Sequence, residues 1–89
     1  MDKWEALKDL LKTEAENIQK TAGEEIVEIK PLSEFELMLI HRKTFKRLRL
    51  TFSKGMDSVR VEDSSGKTRF EKFPDFLPSL AVDLLQTLS

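Results

Sequence analysis

The sequence predicts an α+β two-layer sandwich: an N-terminal helix, an antiparallel meander of four to five strands, and a C-terminal helix, with both helices on one sheet face. Two observations predict it. Apolar residues recur every three or four positions at both ends of the chain and every second position between Glu25 and Phe73. The alternating segments also carry charge on one side only, which suits a sheet covered on one face. The 89 residues are read as a single domain over 1–89, long enough to bury one core.

Trp4, Leu7, Leu11, Ala15, Ile18 and Ala22, with Leu10 beside them, form one helical stripe, so a helix is expected over residues 3–22. Asp2 is placed to cap its first N–H groups, with Glu5 as the capping-box partner. Gly23 supplies the left-handed residue that ends such a helix. Trp4 shares its register with Leu7 and Leu11 and is assigned to the core rather than to a partner.

From Glu25 the period drops to two. EIVEIK reads as a strand ending at Pro31, PLSE as a turn, and FELMLIHR as the second strand. RLRLTFS, SVRVED and KTRFEKF follow, separated by the turns KGMD and SSG. Leu48, Leu50 and Phe52 alternate with Arg47, Arg49 and Thr51, and Val59 and Val61 alternate with Arg60 and Glu62. In PDFLPSLAVDLLQTLS the helical period returns, with Asp75 as N-cap, Pro78 in the first turn, and Phe76, Leu77, Leu80, Leu84 and Leu88 on one face.

The chain has no cysteine, which removes disulfides and thiolate sites. Its longest apolar run, LMLI, is far short of a membrane span, and its acidic amphipathic start is unlike a signal peptide. These features predict a soluble, unprocessed, cytoplasmic protein with no membrane partner.

Charge is segregated along the chain. Residues 1–41 carry −5, residues 42–72 carry +6 and residues 73–89 carry −2, although the total is only −1. HRKTFKRLRLTFSK holds six cations (Arg42, Lys43, Lys46, Arg47, Arg49, Lys54) and no acid. Strand alternation displays Arg47 and Arg49 outward, with Arg60, Arg69 and Lys67 expected on neighbouring strands. Arg42, Lys43, Phe45 and Lys46 gather at a hairpin tip. Such a strip can neutralise phosphates or carboxylates, and Phe45 can stack on a base. The bland alternative is a solvated face in which Arg60 pairs with Glu62 or Glu71.

FELMLIHR is apolar on both sides. Met38 and Ile40, with Ile26 from the preceding strand, therefore form a candidate self-association spot. Other signals are weaker. SGKT has Val61 where a phosphate-binding loop needs its first glycine, and reads as a turn. His41 is the only histidine and has no partner at ligand or triad spacing. Glu24, Glu25 and Glu28 read as a solvated edge.

A basic meander followed by a helix is similar in outline to the single-strand-binding cores of some transcriptional coactivators, in order of elements only. The long N-terminal helix departs from that outline. The pI of about 5.8 and the single aromatic beside the strip argue against sequence-specific duplex reading. The expectation is a small non-enzymatic binding module without cofactor or metal. Its partner is an acidic protein or single-stranded nucleic acid; the alternative is an assembly protein forming a homodimer through the apolar spot.

Overall fold

The computed structural model of the chain describes residues 2–53, 55 and 57–88. Lys54, the last cation of the basic segment, and Met56 of the KGMD turn lie outside the described residues. Helix α1 spans Lys3–Ala22 as expected. The Asp2 carboxylate accepts the Glu5 N–H at 2.8 Å, and Gly23, at φ 74°, donates its N–H to the Gln19 carbonyl. Glu5 itself pairs with Lys8 Nζ at 2.8 Å.

Five strands follow: β1 (Val27–Ser33), β2 (Glu36–His41), β3 (Arg47–Ser53), β4 (Ser58–Asp63) and β5 (Thr68–Lys72). They form one antiparallel meander in chain order. The first strand does not stop at Pro31 but runs through it to Ser33, and PLSE shrinks to a two-residue turn at Glu34 and Phe35. Pro31 is tolerated because β1 is an edge strand, and the register shifts between Pro31 and Ser33.

Directly opposed residues share a face, so the register sorts the side chains. Leu37 meets Leu50, Leu39 meets Leu48, Leu50 meets Val61 and Phe52 meets Val59. These residues form the floor of the core. Trp4, Leu7 and Leu11 of α1 cover it together with Leu80, Ala81, Leu84, Leu85 and Leu88 of α2 (Leu77–Leu88). At one end Trp4 stacks on Phe52 with ring centroids 5.5 Å apart, and its Nε1–H donates to the Glu34 carbonyl at 3.0 Å. This single bond satisfies the only polar atom of the indole while its ring is buried.

Helix α2 starts two residues after Asp75, so Phe76 takes the capping position; its carbonyl accepts from the Ser79 N–H and Oγ. Phe76 is 70% exposed and does not join the core stripe. Ala81 and Leu85 fill the inner face with the expected leucines instead.

Leu50→Ala removes a fully buried side chain from the centre of the floor, and should cost about 2–5 kcal/mol in urea unfolding. Phe76→Ser should change stability by no more than about 0.5 kcal/mol. Emission of Trp4, the only tryptophan, reads both transitions.

Candidate functional site

The basic hairpin tip joins β2 to β3. His41 closes it: its N–H donates to the Lys46 carbonyl at 2.9 Å and its carbonyl accepts the Phe45 N–H at 2.8 Å. The His41 Nδ1 accepts from the backbone N–H of Lys43 (3.3 Å) and of Thr44 (3.1 Å), so the ring acts as a backbone clamp with Nδ1 unprotonated. Within this clamp Phe45 adopts φ 62° and is 76% exposed. A bulky residue in the left-handed region is uncommon, and here it turns an aromatic ring out to solvent.

The tip's cations are not all free. Lys43 pairs with Glu24, and Arg42 reaches Glu25 at 3.7 Å and Glu28 at 3.6 Å. The acids expected to form a solvated edge are therefore the counter-charges of the tip. Hairpin pairing places Val27 opposite His41 and so brings the two segments together. The alternate signs of residues 24–28 and 42–43, read with that hairpin, were the signal in the sequence.

On the open face, Arg49 forks onto Glu36, its Nε 2.9 Å from the carboxylate. That hydrogen bond first, and the nearby charge of Glu36 second, hold the Arg49 guanidinium above its ordinary pKa. Arg60 lies 3.8 Å from Glu62 of its own strand. Arg47 extends from the β3 end, where its N–H donates to Ser64 Oγ at 2.6 Å and its carbonyl accepts from the same hydroxyl at 3.3 Å. Ser64 thus ties the β4–β5 turn to the tip. A shallow cleft of about 310 Å³ beside this junction is lined by Met38, Arg47, Arg49, Glu62, Asp63, Ser64 and Gly66.

Arg69 is on the other face. It opposes buried Val61, its guanidinium lies 3.5 Å from Thr87 Oγ1 of α2, and its Nε is 3.0 Å from Glu71. Phe70 takes the outward position opposite Arg60 and is 58% exposed. Two phenylalanines of opposite parity compete for the core here. Phe73 wins, packing 5.8 Å from Phe52 and turning Arg69 and Glu71 inward with it. Of the apolar spot, Met38 and Ile40 do face outward, half-buried beside Arg49 and Arg47. Ile26 packs against the core cluster.

SGKT lies in the β4–β5 turn, with Gly66 at φ 88°. The Asp63 carboxylate holds that turn, accepting from the Ser65 hydroxyl (2.6 Å), the Ser65 N–H (2.9 Å) and the Lys67 N–H (3.1 Å). Among the described residues no three His, Asp or Glu side chains converge to hold a metal ion. A groove of about 510 Å³ runs between α1 and β1, over Val27, Ile29 and Pro31. Its rim mixes the acids Glu5, Asp9, Glu16 and Glu25 with Lys8 and Lys12. No helix among the described residues is long and apolar enough to cross a membrane. Comparison with protein-family models, with curated proteins and with solved structures finds no match to this chain.

The Ser65 hydroxyl, with the Lys67 and Ser65 amides behind it, holds the Asp63 carboxyl below the ordinary Asp value against a smaller opposing effect of burial. A depressed carboxyl contributes stability above its unfolded pKa and loses it as pH falls through the folded one. Ser65→Ala should therefore raise the Asp63 pKa in a carbon-13 titration. It should also move the acid-side loss of turn protection to higher pH.

Proposed function

We propose that this chain is a small non-enzymatic binding module that docks an acidic protein segment on the β2–β3 tip and the adjoining end of the open sheet face. Phe45 is its apolar anchor and Lys46 and Arg47 are its cations. The observation that carries the reading is the exposure of Phe45 in a left-handed backbone conformation, which costs roughly 1–2 kcal/mol and is held in place by His41. Strain that keeps an aromatic out of the core points to a use for that aromatic in solvent.

Charge favours a protein over a nucleic acid. A phosphate backbone rewards an unbroken track of cations. Here Glu36, Glu62 and Glu28 interrupt the strip at Arg49, Arg60 and Arg42. The exposed pairs are each worth about 0–1 kcal/mol, so a partner's carboxylates can replace Glu24, Glu25 and Glu28 at the tip with little loss. Met38 in the neighbouring cleft offers the partner an apolar contact beside Arg47. The cysteine-free composition is compatible with the cytoplasmic location that the proposal includes.

Fluorescence anisotropy at low salt, with labelled acidic peptides that carry one aliphatic or aromatic residue and with a labelled single-stranded oligonucleotide, tests the reading. The peptides should bind, and Phe45→Ser and Arg47→Ser should each weaken binding about tenfold while Lys3→Ser leaves it unchanged. Added salt should weaken it further. An oligonucleotide that binds where every peptide fails, or peptide binding indifferent to Phe45 and Arg47, would contradict the proposal.

A further inference from the structure

We propose that β5 is a self-complementary edge through which two copies of this chain pair antiparallel, about a two-fold axis at Phe70, into one continuous sheet. The two edges of the sheet differ. β1 carries Pro31 and a register shift between Pro31 and Ser33, both of which discourage strand addition. Thr68–Lys72 has neither proline nor glycine and pairs in regular register with β4, leaving its other side open.

The ladder shows which backbone groups face outward. The Asp63 N–H donates to the Lys67 carbonyl at 3.0 Å, and the Phe73 N–H donates to the Asp57 carbonyl at 3.4 Å, so both ends of the β4–β5 pairing are hydrogen-bonded at odd-numbered residues. Antiparallel pairs alternate between bonded and non-bonded, so Arg69 and Glu71 spend their backbone groups on β4. Thr68, Phe70 and Lys72 then direct theirs to the open edge. A two-fold axis at Phe70 sets Phe70 against its own copy and Thr68 against the second copy's Lys72. Every outward N–H in the pairing then meets a carbonyl.

Side chains select the same register. With the axis at Phe70, Arg69 opposes the second copy's Glu71 and Glu71 opposes its Arg69. The intrachain Arg69–Glu71 pair thereby becomes part of a four-charge network on the helix side. On the open face the exposed Phe70 rings meet. An axis at Arg69 or at Glu71 would oppose like charges. This is the geometry of an isologous contact, in which one patch serves both copies. A five-residue strand pair is small beside the roughly 1,200–2,000 Å² of a stable complex, so association is expected only at high concentration.

Sedimentation of the full chain from about 10 µM to 1 mM tests the idea, with nitrogen-15 spectra recorded across the same range. Wild type should associate reversibly, with shifts centred on residues 68–72. Arg69→Glu and Glu71→Arg, each confirmed folded by circular dichroism, should stay monomeric alone, and their equimolar mixture should associate at least as tightly as wild type. The doubly exchanged chain should regain self-association. A wild type that is monomeric at about 1 mM overturns the proposal. So does association that both single changes leave untouched.

Discussion

A sheet covered by helices on one side only has little freedom in which side chains it buries. Sliding β3 by one residue would exchange Leu48 and Leu50 for Arg47 and Arg49 under α1 and α2. Burying each leucine is worth about 1.5–3 kcal/mol, and burying an unpaired guanidinium costs several more. The swing across two residues approaches the 5–15 kcal/mol that holds a typical domain together. The same demand acts on Leu37 and Leu39 in β2 and on Val59 and Val61 in β4, so three adjacent strands reinforce one register. What the open face displays is the complement of that choice.

From this follows how the charges are arranged. Because Leu48 and Leu50 point inward, Arg47 and Arg49 stand on a rigid surface rather than on a basic tail. Because Val27 must pair beside His41, the acids that precede β1 arrive at the cations that follow β2. Glu24, Glu25 and Glu28 thus offset Arg42 and Lys43 but not Lys46 and Arg47, and the tip is distinctive in its shape. Its exposed aromatic and the end of β3 distinguish it from an ordinary solvated hairpin.

Helix α1, the most strongly periodic segment, is legible in the sequence to its bounds. Asp2 and Gly23 cap α1 as expected, while the Glu5 side chain turns to Lys8 instead of closing a capping box, and the meander and C-terminal helix follow in order, because each rests on several apolar positions agreeing with one another. Illegible features depended on a single residue or on tertiary partners. Pro31 reads as a strand end unless β1 is known to be an edge. Phe76 fits the apolar stripe of α2 but precedes its first turn. Phe70 in β5 and Phe73 just after it propose opposite faces, and contact of Phe73 with Phe52 decides between them. Of the candidate cations, Arg42, Lys43, Lys46 and Arg47 do cluster at one end, while Arg69 lies beyond the sheet from them. The carboxylates that neutralise Arg49 and Arg60 come from residues whose pairing alternation alone does not rank.

The outward position of Phe70 and the pairing capacity of the open edge both depend on the face assignment of β5. The most direct measurement is the pattern of cross-strand Hα–Hα Overhauser contacts between β4 and β5. Non-hydrogen-bonded antiparallel pairs bring their Cα atoms to about 4.5 Å and give the strong contacts. They are expected for Arg60 with Phe70 and for Glu62 with Thr68. Strong contacts for Arg60 with Arg69, or for Val61 with Phe70, would mean a one-residue slip that buries Phe70, and would contradict it.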